Sequence, residues 1–150
     1  MITAIDTNVL LDLIDSDAGK ADDAEEALLL CSGDGSLTIS TICYAELAPR
    51  FPDQAPLDAL LSRLAITVSD LDRRGAFLAG KFFAEHLRRG GKRTRILPDF
   101  LVAAHAMQAA DRLLTRDGRF YRDAFSKLNA LSPAELIARH RKASQRNQAL

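Results

Sequence analysis

Tryptophan is absent from this chain, aromatics reach only 6%, and there are just two cysteines, Cys31 and Cys43. Neither cysteine stands at metal-ligand spacing, which disfavours zinc; both read as reduced, partly buried thiols of a cytoplasmic protein. No apolar run approaches the ~20 residues of a membrane span, so no membrane association is expected. The N-terminus has no basic-then-apolar leader, and Asp6 interrupts it early, so no signal peptide is expected either. A G-x-S-x-G elbow is missing, against a serine hydrolase, and so is the G-x-G-x-x-G of dinucleotide sites.

What is present is an ordinary globular composition, 47% hydrophobic and 27% charged over 150 residues, rich in alanine and leucine. That length suits one domain, 1–150. The net charge of zero conceals an asymmetry. Residues 1–60 hold twelve Asp/Glu against two Lys/Arg, a balance of −10, whereas residues 61–150 hold eight against eighteen, +10. A basic part of this kind can serve an anionic partner, and an acidic part a cation. Folding back could equally pair the two parts with each other.

The first dozen residues set the pattern. Ile2 to Ile5 reads as a short buried strand that Asp6 ends; Thr7 or Asn8 then caps a helix with Val9, Leu10 and Leu13 on one face. Ala21 to Cys31 reads as a helix, Leu37 to Ser40 as a strand, and Thr41 to Ala48 as a short helix stopped by Pro49. Leu57, Leu60, Leu61 and Leu64 form a helical stripe before a third strand, Ile66 to Val68. Ser69 or Asp70 caps a long helix over about Leu71 to Arg89, with Leu71, Leu78, Phe82 and Leu87 as buried candidates and Gly90-Gly91 as its stop. Pro98 and Asp99 open the next helix. Arg112 to Thr115 and Leu128 to Leu131 are the last strands, and Ser132-Pro133-Ala134-Glu135 is a capping box for a final helix. Beyond Arg139 the basic tail, about 140–150, is expected to fray. Alternating strands and helices imply a three-layer α/β domain with a mainly parallel central sheet.

Asp6, Glu46, Asp99 and Asp117 all fall near the ends of predicted strands or in the helices that follow. In a parallel sheet such positions line one edge, where ligands bind. Clustered carboxylates repel one another unless a cation lies among them, and oxygen donors suit Mg²⁺ or Mn²⁺. A carboxylate-bound ion can activate water against a phosphodiester. The basic stretch Arg88, Arg89, Lys92, Arg93 and Arg95, with Arg116, Arg119 and Arg122 near the last acid, could hold a polyanionic strand. Asp12 and the histidines are given no such role: Asp12, His86 and His140 read as surface and His105 as a packed, hydrogen-bonded side chain.

The segments DTNVLLDL, YAEL, LPDFLVAAHA and LLTRDGRFY resemble the signature blocks of PIN-domain ribonucleases, most closely the VapC toxins of type II toxin–antitoxin systems. The resemblance spans nearly the whole chain. It implies an α/β/α fold, a Mg²⁺- or Mn²⁺-dependent endoribonuclease toxin, a cognate antitoxin partner, and frequently a homodimer. It places the family's acids on Asp6, Glu46, Asp99 and Asp117, with Asp6, Asp99 and Asp117 holding metal. The hydroxyl near the last acid falls on Thr115, and the asparagine after the first on Asn8, which would orient its neighbours. Two alternatives stand beside it. A phosphotransferase using Asp6 as nucleophile would want a second acid where Asn8 stands; a non-catalytic PIN-like module would bind RNA or protein without cleaving.

Overall fold

A computed structural model describes residues 1–16, 18–92 and 95–149. Its centre is a five-stranded parallel sheet of order β3-β2-β1-β4-β5. The strands are β1 (Ile2–Ile5), β2 (Ser36–Ser40), β3 (Ile66–Ser69), β4 (Arg112–Leu114) and β5 (Ala130–Leu131). Between them run α1 (Thr7–Asp15), α2 (Ala18–Asp34), α3 (Thr41–Leu47), α4 (Gln54–Arg63), α5 (Arg73–Arg88), α6 (Leu97–Ala109) and α7 (Gly118–Ala124), and α8 (Pro133–Gln148) closes the chain. Parallel strands need crossovers, and right-handed crossovers put helices on both faces, giving three layers. α1 packs on α2, α2 on α8, and α5 on α6.

The chain steps outward from β1 through β2 to β3, then returns to the other side of β1 as β4 and β5. The sheet therefore changes direction between β1 and β4, and their carboxyl ends diverge into a crevice. Their register pairs Ile5 with Leu114, and Asp6 N–H adds one more rung to the Leu114 carbonyl at 2.9 Å. Asp6 and Thr115 are thus the first residues past adjacent strands. Ala4, Ile5, Ile39, Leu113 and Leu114, all buried, form the sheet's share of the core.

Several local expectations are corrected. The α1 cap is Asp6, whose carboxylate accepts from Thr7 N–H at 2.8 Å, not Thr7 or Asn8. α5 starts at Arg73, later than expected, and is capped not by Ser69 or Asp70 but by Asp72, which accepts from Gly75 N–H at 2.8 Å. Its Leu78 and Leu87 are exposed, at 39% and 43%, because small Gly75 and Ala79 form its buried contact with α6. α7 went unread: its seven residues are too few to show a helical period. The expected frayed tail is helical to Gln148, tied back where Arg141 reaches Glu26 and His140 reaches Asp34. Asp12 is buried, paired with Arg116 at 3.2 Å, and His86 is half-buried against the Phe100 and Phe120 rings. Cys31 and Cys43 are fully buried and unbonded to each other. Among the described residues no helix is long and apolar enough to cross a membrane.

The turn from α2 into β2 is set by Gly35. A Cβ there would lie 1.9 Å from the Met1 carbonyl oxygen, the same oxygen that accepts from Ser36 N–H to start the β1–β2 ladder. Gly35→Ala should therefore cost roughly 1–3 kcal/mol, as other overpacked sites do. A urea midpoint unchanged from the parent would show that this approach relaxes freely.

Candidate active site

At the β1–β4 crevice Asp6 is 7% exposed. One carboxylate oxygen accepts from Thr7 N–H, and the other accepts from the Thr115 hydroxyl at 2.7 Å and from Asn8 Nδ2 at 3.3 Å. The same Asn8 amide reaches Thr115 Oγ1 and Asp117 Oδ2, each at 3.4 Å. Thr115 Oγ1 also accepts from Asp117 N–H at 3.1 Å, so one hydroxyl joins the two acids across the strand ends. Asn8 itself is fixed by Arg116 N–H, which donates to its Oδ1 at 3.1 Å.

Glu46 and Asp99 approach from the two helices that flank this centre. Glu46 lies on the last turn of α3 and accepts from the Thr7 hydroxyl at 2.9 Å. The early stop at Pro49 leaves α3 a single capped segment, with Ser40 accepting from Cys43 N–H at 3.2 Å. Asp99 is the third residue of α6 and accepts from Ile96 N–H at 3.0 Å, which fixes one of its oxygens at the helix start. Both are close enough to act on Asp6: burial first, then the charges of Glu46 and Asp99, push its carboxyl up to about 6, against hydrogen bonds from Thr115 and Thr7 that pull it down. Beneath them Tyr121 is 1% exposed, and burial with the charge of Asp6 drives its phenol far up, keeping it neutral.

The four predicted acids therefore converge on one edge, with Asn8 and Thr115 between them. Thr7 and Tyr121 were missed as part of the site. Thr7 was read only as a cap, although it sits in the same Asp6-Thr7-Asn8 triplet; Tyr121 carried a signal only in its spacing of four from Asp117 along an unread helix.

The predicted basic contacts divide. Arg95 donates to Asp117 Oδ2 at 3.1 Å and lies 4.1 Å over the Phe120 ring, so its guanidinium stands at the site. Arg116 spends its side chain on Asp12, and Arg122 is bound to Glu135 and the Ala130 carbonyl. Arg88 and Arg89 pair with Glu85. Arg119 is exposed on α7, and Lys92 uses its carbonyl on His86. Arg93 lies outside the described residues.

A model described as PIN domain matches residues 3–126. The chain belongs to the PIN domain family. Solved structures sharing this PIN domain's fold include VapBC2 from Rickettsia felis bound to a DNA fragment from its promoter (25% identity, 88% of this chain and 98% of that one covered, TM-score 0.68). VapBC-1 from nontypeable Haemophilus influenzae is similar at 19% identity, 89% and 99% coverage and TM-score 0.68. A toxin–antitoxin complex from Klebsiella pneumoniae is similar at 20% identity, 87% and 97% coverage and TM-score 0.62. No curated protein matches the chain at a significant level.

The donor set of this PIN domain is all oxygen, which suits a hard divalent cation and not zinc. Among the described residues no three His, Cys, Asp or Glu side chains form a ready cage for a metal ion. Mg²⁺ does not require one, since it usually keeps several waters and takes one or two carboxylates. An acid held at about 6 by burial and, after it, by its acidic neighbours is a group whose charged form a cation would favour. The residues fit.

Proposed function

We propose that this PIN domain is a Mg²⁺- or Mn²⁺-dependent endoribonuclease and the toxin member of a toxin–antitoxin pair. The observation that carries the reading is the buried Asp6, tied to Asp117 through Thr115 and Asn8 at the sheet's switch point. Asp6, Asp99 and Asp117 would hold the ion or ions between them, and Glu46, aimed by Thr7, would complete the shell or orient the attacking water. When bound, the ion supplies a more acidic water and a polarised phosphodiester. Thr115 and Asn8 keep the Asp6 oxygens in a single orientation, and Arg95 brings a positive charge to the edge where RNA phosphate would enter. The similarity to VapBC and toxin–antitoxin complexes supports a cognate antitoxin as partner. Apolar side chains left outside, Phe77 at 69% and Ile96 at 53% exposed, offer surface for that partner or for a second copy in a homodimer.

Incubating the protein with single-stranded and structured RNAs in Mn²⁺, Mg²⁺ or chelator tests this. Cleavage should need the cation and leave 5′-phosphate and 3′-hydroxyl ends, because water and not the ribose attacks. Equal cleavage in chelator would defeat the reading. That no three acids among the described residues form a preformed cage favours a second reading, a module that binds RNA or protein without cutting; RNA retention on a filter with no metal-dependent shortening would select it.

A further inference from the structure

Beyond Arg95 the surface opens into a cleft between α5 and α7, about 590 Å³ in volume, within the range that holds small ligands. Its inner wall is aromatic: Phe82, His86, Phe100 and Phe120 line it, with Phe100 and Phe120 rings 6.0 Å apart and edge to face. His86 is locked in place, 5.9 Å from Phe120, with Nε2 3.1 Å from the Lys92 carbonyl. Gly91 lets the loop pass behind that ring, since a Cβ there would lie 2.3 Å from it. At the rim, Glu85 is already paired with Arg88 and Arg89, whereas Asp123 has no hydrogen-bond or ion-pair partner among the described residues.

The cleft shares Phe120 with the site. Arg95 lies over that ring and binds Asp117, so a strand whose phosphate met Arg95 would have a neighbouring base within reach of the cleft. Single-stranded RNA is recognised by splaying a base onto aromatic side chains and hydrogen-bonding its Watson–Crick edge. A carboxylate only accepts, with two oxygens side by side. Guanine presents two adjacent donors on that edge, its ring N–H and its exocyclic amino group. Adenine and cytosine present one amino donor beside an acceptor, and uracil one imino donor between acceptors. Asp123 therefore matches guanine best.

We infer that the α5–α7 cleft is a base-binding subsite seating an unstacked guanine of single-stranded RNA, with Asp123 reading its edge, the aromatic wall that includes Phe120 packing against the base and Arg95 holding the adjacent phosphate. The inference rests on the ribonuclease reading for its substrate class, but its test does not depend on cleavage. Anisotropy in chelator compares a labelled oligouridylate with the same strand carrying one central guanosine. The parent should bind the guanosine strand roughly tenfold tighter, as a bidentate contact gives. Asp123→Asn, at an exposed position, should erase that preference. Phe120→Leu, checked for an unchanged unfolding midpoint, should weaken the guanosine strand by about tenfold. Arg95→Gln should weaken both strands and lower the slope of log affinity against log salt by about one. Equal affinity for the two strands, a preference that survives Asp123→Asn, or no binding of either strand overturns the subsite. Metal-dependent cleavage without guanine preference would remove the subsite and leave the ribonuclease; guanine preference without metal-dependent cleavage would do the reverse.

Discussion

The Asp6→Asn protein should lose RNA cleavage by at least about a hundredfold and yet, in chelator at pH 8, unfold later than the parent. The first effect follows from removing a carboxylate on which ion binding would rest, a contribution of several kcal/mol, with each 1.36 kcal/mol worth tenfold in rate. The second follows from the electrostatics of the folded state. Asp6 is buried among Glu46 and Asp99, and its carboxyl moves from 3.8 to about 6 on folding. A raised acid binds its proton more tightly in the native state, so its contribution is full below 3.8 and is lost as pH rises through 6. Above that the ionised form costs about 3 kcal/mol, at 1.36 kcal/mol per unit. Asparagine keeps the oxygen that caps α1 at Thr7 and removes the buried charge; its NH2 gives up the weak 3.3 Å contact from Asn8 and turns the Thr115 hydroxyl into an acceptor, a smaller loss than the charge. The stability gap should open between pH 4 and 7, and in a chain of this size each kcal/mol is worth roughly 2–4 °C. Mn²⁺ should stabilise the parent and leave the variant unmoved, since only a state that binds the ion gains from it. A variant less stable than the parent at pH 8 in chelator, or one still stabilised by Mn²⁺, contradicts this account.

Asp34→Ala should be the most damaging change away from the site. Arg112 on β4 has a side chain 8% exposed, donating from Nε to the Thr3 hydroxyl and from Nη2 to Asp34, each at 2.9 Å. Removing the acid leaves a buried guanidinium with one neutral partner, and such broken pairs cost about 3–5 kcal/mol. Asp34 is 31% exposed on its side chain, so water reaches the gap and the lower end applies. The Arg112 hydrogen bond, with a further one from His140, holds the Asp34 carboxyl below its usual range. That stabilisation is present above the ordinary carboxylate range and fades as pH falls through the lowered value. Urea unfolding at pH 7 reads the loss. Adding Arg112→Met to Asp34→Ala should recover much of it, because no charge is then left buried. A single variant within about 1 kcal/mol of the parent would show that this pair is surface-like.

The same pair explains what became of the charge asymmetry. Asp34 with Arg112, Asp12 with Arg116 and Glu26 with Arg141 each join the acidic first part of the chain to the basic second part. Much of the split is internal neutralisation, and only Arg95 among the described residues brings a basic side chain into contact with the four acids. Charge counts along a sequence cannot separate these uses, because pairing depends on which helices face each other.

Composition and period determined the parallel sheet, the helices between its strands and the acids at their ends. These depend on local rules: β-branched runs stopped by an acid, leucine at helical spacing, proline and capping boxes at helix starts. The sequence could also mark Asp6, Asn8, Thr115 and Asp117 as neighbours in kind. Only the fold set β4 beside β1, making Asp6 and Thr115 adjacent, bringing Glu46 and Asp99 near enough to act on Asp6, and tying Asp117 in through Thr115 and Asn8. It likewise buried Asp12, exposed Leu78 and Leu87, carried α8 to Gln148, and laid Arg95 across Phe120. Each of these was decided by packing between elements far apart in the chain, a term that no local pattern of residues contains.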